Sequence, residues 1–207
     1  MSPLLIAFIG ALLVPLFVAS WRLSLFGLAA QGFLMAWISH QVDPALDTAG
    51  AWVVMFDLVG VRGLGAPLVL YAVLRAQRAT ARNDVISPNL MSWTLAIALV
   101  LVAFRFAEMF VPVDGDERLF VAGAAAGLLL GLLVLATQTG PFSQMVGALR
   151  IENAIALFEL GSRHREPGMQ IAQTVILIGT VLLFRWYLIT LPVPSTVKVS
   201  AVEGLNQ

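Results

Sequence analysis

A small set of ionisable side chains lies within long apolar stretches of this sequence, where charge is unfavourable. In a lipid bilayer, a charged group near the centre of a helix costs about 2.5–3.5 kcal/mol, so it must be paired, hydrated or neutralised. A carboxyl group in such a place can also take up and release a proton, which is the chemistry of an ion path. The residues of this set are Asp57, Arg62, Arg105, Glu108, Glu152 and Glu159.

Glu152 and Glu159 are spaced to lie on one face of a helix. Seven residues make two turns, which separates the two carboxylates by about 20° around the helix and about 10 Å along it. Counting along the apolar stretches places Glu152 near the depth of Arg62 and Glu159 near the depth of Asp57. This pattern predicts a lateral row of titratable groups at mid-membrane. The alternative is a pair of salt bridges to a neighbouring subunit.

Asp57 and Arg62 belong to a glycine-rich part of their apolar stretch. Counted from its first residue, they lie about 9 Å and about 16 Å deep. The segment 59–67 (VGVRGLGAP) contains glycines and a proline that disfavour a regular helix. It predicts a helix that is kinked or broken, with the freed backbone lining a cavity or packed in protein. The pair is therefore either part of an ion path or a buried salt bridge that stabilises a kink.

Arg105 and Glu108 are three residues apart and share a helix face. Their position places them near the outer end of the fourth apolar stretch, where long side chains reach the membrane surface. The prediction is a local structural pair or an interface contact.

The composition excludes several classes of protein. The chain has 207 residues, of which 59% are hydrophobic and 12% are charged, with net charge +0. A soluble domain carries about 25% charged residues, and a nucleic-acid-binding protein has a basic excess. The chain has no cysteine, so it cannot form disulfides, Cys-ligated zinc sites or protein-ligated iron–sulfur clusters. The sequence therefore predicts an integral membrane protein with no cofactor or metal of its own.

The apolar stretches predict an all-α, polytopic membrane protein with about seven transmembrane helices. They form a single helical domain over residues 1–190, followed by a polar C-terminal tail over 191–207. The stretches are continuous rather than alternating, which argues against a β-barrel. The predicted spans are 3–20, 22–39, 51–74, 91–112, 119–137, 145–161 and 169–190.

The basic residues of the loops predict the orientation. Arg75, Arg78 and Arg82 follow the third span, and the loops on either side of them are acidic. The positive-inside rule then puts the N-terminus outside and the C-terminus in the cytoplasm. Arg163 and Arg165, between the sixth and seventh spans, oppose this assignment.

The fifth span carries small residues at every fourth position, namely Gly123, Gly127 and Gly131. Such a stripe predicts close helix packing, either within the chain or against a neighbouring subunit.

Several segments, in this order and spacing, resemble one family. The family is the membrane component E of hydrogenase-4 and its relatives in group 4 membrane-bound hydrogenase complexes. The resemblance covers most of the chain, and its most specific piece is the Glu-Asn pair that opens the sixth span. Residues 113–190 also resemble the three-helix K subunit of respiratory complex I. The segments are Trp21–Gln31, Val61–Leu68, Thr137–Gly147 and Arg150–Leu157.

The resemblance transfers only partly to individual residues. Glu152 matches the family's glutamate, although Ala154 follows where relatives carry glycine. Arg62 occupies a position where relatives carry lysine. Since arginine essentially cannot deprotonate, the resemblance implies a fixed charge there rather than a proton carrier. Gln170 and Gln173 stand in the seventh span where a carboxylate is expected.

The resemblance implies a non-catalytic membrane-arm subunit of a complex I-related oxidoreductase in the cell inner (plasma) membrane. Glu152, Glu159, Asp57 and Arg62 would contribute to proton or sodium translocation. The implied partners are an antiporter-like subunit and a quinone-site or hydrogenase-anchoring subunit, besides the lipid bilayer, and no nucleic acid. The alternatives are a purely structural scaffold subunit of such a complex and an unrelated free-standing small transporter.

Overall fold

Every regular element in the described part of the chain is helical, as the sequence predicts. The computed structural model describes residues 2–18, 20–42, 49–76, 90–111, 115–161 and 167–190. The predicted tail and the loop residues Arg78, Arg82, Arg163 and Arg165 lie outside these ranges. The helices are α1 (Ser2–Phe17), α2 (Trp21–Val42), α3 (Ala49–Met55), a π segment (Phe56–Gly65), α4 (Ala66–Ala76), α5 (Leu90–Phe110), α6 (Asp116–Thr137), α7 (Pro141–Gly161) and α8 (Pro167–Thr190).

Five helices in the described ranges are long and apolar enough to cross a membrane. The first predicted span is a shorter apolar helix, and α7 has the length of a span but several polar residues. The apolar character of five spans thus agrees with the sequence analysis, and a total of seven spans stays a prediction. The five are Trp21–Val42, Ala49–Ala76, Leu90–Phe110, Asp116–Thr137 and Gly168–Thr190.

The third span is not broken, contrary to one prediction from its glycines and proline. The π segment joins α3 to α4 in one continuous helix, and the residues that flank it, Met55 and Ala66, both have right-handed helical dihedral angles. The N–H of Ala66 donates to the carbonyl of Val61, five residues earlier. Pro67 has no N–H to donate. A π segment keeps more backbone N–H and C=O groups hydrogen-bonded than a break in the helix would. In apolar surroundings, each unbonded backbone group is costly.

The π segment crosses α2 at very close range. A Cβ atom added to Gly32 of α2 would lie 2.5 Å from the backbone nitrogen of Gly63 and 2.6 Å from its Cα. Only glycine fits a backbone approach of this kind. This crossing holds α2 against the part of the third span that carries the charged pair.

The glycine stripe of α6 packs against α7 of the same chain. A Cβ atom on Gly127 would lie 2.8 Å from the Cβ of Ala154, and one on Gly131 would lie 2.6 Å from the Cγ1 of Ile151. The predicted close packing is confirmed, and of the two alternatives it is the one within the chain. On α7, Asn153 is buried in the interior of the bundle, whereas Glu152 is only partly buried.

Two apolar clusters form the core, and the polar residues of the interior lie between them. One cluster includes Met35 and Leu157, whereas the other includes Leu28 and Leu149. The residues about one turn before and after Gln31 on α2, and about one turn before and after Asn153 on α7, are therefore apolar and buried. A polar group held between two such clusters must find its partners on the neighbouring helices.

Two helices leave most of their apolar surface uncovered. Of the most apolar window of each, 17% is buried for α5 and 22% for α8. Large side chains such as Met109, Phe110 and Trp186 are more than half exposed on these helices. Surfaces of this kind face lipid or a protein neighbour rather than water.

Candidate functional site

The centre of the site is a fully buried ion pair within the π segment. Nε of Arg62 donates to Oδ2 of Asp57 at 2.8 Å, and both side chains have 0% exposed surface. On an α-helix, residues five apart point about 140° away from each other. The π geometry, with bonds between residues five apart, stacks them on one face instead. The widened helix therefore brings the two side chains within reach of each other.

Arg62 also binds α7 at the motif that the sequence analysis singled out. Its Nη1 donates to the backbone carbonyl of Glu152 at 3.1 Å and to Oδ1 of Asn153 at 3.2 Å. Nδ2 of Asn153 in turn donates to Oε1 of Gln31 on α2 at 3.0 Å. One guanidinium group thereby links the third span to α7 and, through an amide, to α2.

α8 covers the opposite side of the pair with amide side chains. Nε2 of Gln170 donates to Oδ2 of Asp57 at 3.4 Å. Nε2 of Gln173, one turn further along, donates to Oε1 of Glu159 on α7. Both carboxylates thus accept hydrogen bonds from the positions where the resemblance leads one to expect an acid.

The residues of the predicted row do not all meet through their side chains. Asp57 and Arg62 form the ion pair, and Glu152 contacts Arg62 through its backbone carbonyl. The carboxylates of Glu152 and Glu159 are both partly exposed on α7. Glu159 accepts its bond from Gln173 on α8. The structure thus brings one cation and one acid together at the centre, with two further carboxylates on the helix beside them.

The local pair predicted on α5 is confirmed. Nη1 of Arg105 donates to Oε2 of Glu108 at 2.9 Å, with 82% and 42% of the two side chains exposed. This pair differs from the buried site, because its charges are exposed. Exposed ion pairs contribute little to stability.

Three buried polar residues were not recognised as site residues from the sequence. Gln31 and Asn153 complete the hydrogen-bonded chain, and Arg150 is a second buried arginine with 1% exposed surface. Helical spacing contains the missing signal, because Arg150 precedes Asn153 by three residues and therefore shares its face. Gln31 directly precedes Gly32, the residue at which α2 approaches the third span most closely.

The buried site retains unused hydrogen-bonding capacity. In the described ranges, Nη2 of Arg62, Oδ1 of Asp57 and Nε2 of Gln31 are buried and have no hydrogen-bond partner. Buried polar atoms are normally satisfied by protein or by ordered water. These atoms can therefore bond to an ordered water or to another polar partner.

The chemistry of these groups divides them into two roles. Arg62 keeps its charge under all ordinary conditions, so it can polarise its neighbours but cannot carry a proton. Asp57, Glu152 and Glu159 carry carboxyl groups, the class of side chain that serves in proton relays within membranes. Among the described residues, no group of three or more His, Cys, Asp or Glu side chains is arranged to hold a metal ion.

Comparisons with protein-family models, with curated proteins and with solved structures give no match for this chain.

Proposed function

We propose that the chain is a non-catalytic membrane-arm subunit of a hydrogenase-4-like, complex I-related oxidoreductase, and that it contributes to proton or sodium translocation. One observation supports this proposal above the others. The guanidinium of Arg62 is bonded both to Asp57 and to the Glu152–Asn153 pair. Arg62 and the Glu152–Asn153 pair belong to two of the four segments that carry the resemblance, and they meet at a buried charged site between apolar clusters.

In this proposal, each residue of the site has a distinct role. Arg62 is the fixed positive charge, and Asp57 is its counter-ion. Glu152 and Glu159 are the exchangeable acids, because they are only partly buried and neither is bonded to a side chain of opposite charge in the described ranges. An ion or proton at either acid would feel the field of Arg62, since low-dielectric surroundings screen charges weakly.

The proposed place in the complex is the inner (plasma) membrane, with the N-terminus outside and the C-terminus in the cytoplasm. The exposed apolar faces of α5 and α8 give the chain surfaces for an antiporter-like subunit and for a quinone-site or hydrogenase-anchoring subunit. Electron-transfer cofactors then belong to the partners, because the sequence has no cysteine ligand for a cluster.

The experiment that tests the proposal uses the assembled complex in sealed vesicles. Glu152→Gln and Glu159→Gln each keep the side-chain volume and remove the exchangeable proton. We expect normal assembly and continued electron transfer, with loss of the coupled uptake of protons or sodium. Glu108→Gln is the matched control, because Glu108 is an exposed acid on α5. Fully coupled transport in both α7 variants would contradict a role of these acids in translocation.

A scaffold subunit is the second candidate, and a particular contact favours it. Arg62 binds the backbone carbonyl of Glu152 rather than its carboxylate, so the network holds together without any titrating group on α7. A scaffold predicts that both glutamine variants remain coupled and that loss of Arg62 prevents assembly. Identifying the subunits that co-purify with a tagged chain tests both candidates against a free-standing small transporter, which would purify without hydrogenase-like or antiporter-like proteins.

A further inference from the structure

An open groove between α2 and α4 combines an apolar floor with a basic residue at one end. Its volume is about 430 Å³, within the range of small-molecule sites. The lining residues are Arg22, Leu25, Phe26, Ala29, Pro67, Leu68 and Tyr71. The groove therefore has room for an apolar chain and one cation to receive a negatively charged group.

The two helices run antiparallel along the groove, which sets its direction. Gly32 of α2, three residues beyond Ala29, faces Gly63 of the third span, four residues before Pro67. Arg22, ten residues earlier on α2, lies about 15 Å away along the helix axis. The groove therefore runs along the helices, with its apolar part toward the middle of the bundle and its charge at the end. This is the arrangement of a lipid, whose chains lie inward and whose headgroup lies at the surface.

The charged residues that α2 and α4 contribute, Arg22 and Arg75, are both basic. Arg75 follows Leu68 and Tyr71 at helical spacing, so it lies on their face of α4, and it is exposed. Neither α2 nor α4 contains an aspartate or glutamate. An anionic headgroup placed at Arg22 would thus meet basic side chains and the phenol of Tyr71, with no acid on either helix to repel it.

We propose that this groove binds an anionic phospholipid of the leaflet on the α2 N-terminal side, which the sequence predicts to be the cytoplasmic leaflet. Arg22 holds the phosphate, Tyr71 lies at the headgroup level, and an acyl chain covers Leu25, Phe26, Ala29 and Leu68. The proposal goes beyond the proposed function and requires only that the chain spans a membrane. Failure of the lipid site would leave the ion-translocation proposal untouched, because the lipid measurement needs no partner subunit.

The experiment is native mass spectrometry of the purified full chain, equilibrated with equal amounts of phosphatidylglycerol and phosphatidylcholine of identical acyl chains. We expect the wild type to retain phosphatidylglycerol preferentially. Arg22→Gln should weaken that retention about fivefold, the effect of one basic residue on an anionic lipid. Ala29→Phe fills the groove without changing charge, and should reduce retention of phosphatidylglycerol as well. Arg185→Gln is the matched control, because Arg185 is exposed on α8 and does not line the groove.

Several results would overturn the proposal. Equal retention of the two lipids by the wild type would remove the charge argument. An equal loss in Arg185→Gln and Arg22→Gln would indicate a general attraction of the protein surface rather than a site. Unchanged retention in Ala29→Phe would show that no acyl chain lies in the groove. Displacement of the lipid by free glycerol phosphate would assign the groove to a soluble anion instead.

Discussion

Removing one charge of the buried pair should destabilise the chain far more than removing both. Arg62→Met leaves the carboxylate of Asp57 buried, with an amide of α8 as its remaining partner. Breaking a buried ion pair in this way costs about 3–5 kcal/mol. Asp57→Leu strands the guanidinium instead, and its expected cost lies in the same range of about 3–5 kcal/mol.

The double variant Asp57→Leu/Arg62→Met replaces the pair by apolar side chains. Such replacements are often neutral or stabilising, since neither charge has to be desolvated. Oδ1 of Asn153 still loses its donor, which costs about 1–3 kcal/mol. We therefore expect the double variant to lose about 1–3 kcal/mol, rather than the sum of about 6–10 kcal/mol that independent sites would give.

The measurement is the free energy of unfolding of the purified chain in mixed micelles, followed by far-UV circular dichroism as the fraction of denaturing detergent rises. Arg185→Met is the control, because it removes an exposed arginine and should change stability by less than about 0.5 kcal/mol. Additive losses in the double variant would refute the coupling of the two charges. Single variants as stable as the control would refute the assignment of Arg62 as the counter-ion of Asp57.

Further predictions concern packing, hydrogen bonding and orientation. Gly32→Ala should lose about 1–3 kcal/mol in the same unfolding assay, because its Cβ would overlap the backbone of the π segment, whereas Gly10→Ala, with nothing within 4 Å, should not. Gln31→Leu should lose about 1–3 kcal/mol, because it leaves a buried amide donor on α7 without an acceptor. Cysteine at Arg75 should react with a membrane-impermeant reagent only from the cytoplasm, and cysteine at Gly115 only from outside; the reverse pattern in intact cells would invert the predicted topology.

The helices could be predicted from the sequence because apolar length is a strong local signal. In the fifth span, the spacing of Gly123, Gly127 and Gly131 predicted close helix packing as well as the helix itself. It could not decide between packing within the chain and packing against a subunit. That choice depends on which helix lies against the glycines. In the folded bundle this helix is α7, which contributes Ala154 and Ile151 to the contact.

The site was predictable in its charges but not in its geometry. Because Asp57 and Arg62 lie in an apolar stretch, their charges had to be paired. On an α-helix, however, side chains five residues apart do not face each other. Glycine and proline signal a departure from regular helix without specifying its kind, so the π segment could not be distinguished from a kink. Asn153 stood out only as part of the resemblance, and neither it nor Gln31 indicated a hydrogen-bond network, because a neutral amide in an apolar helix is too common a feature.

Because of the position of α8, access of solvent to the buried Asp57–Arg62 pair depends on local unfolding of this helix. This helix supplies the amide that covers Asp57, yet its hold on the bundle rests on a few buried side chains such as Leu177, Val181 and Leu188. Segments with few buried contacts open at lower free energy than the core. We therefore expect the detachment equilibrium of α8 to set the fraction of time for which solvent reaches Asp57. Shortening Leu177 or Val181 would raise that fraction without altering a single charged residue.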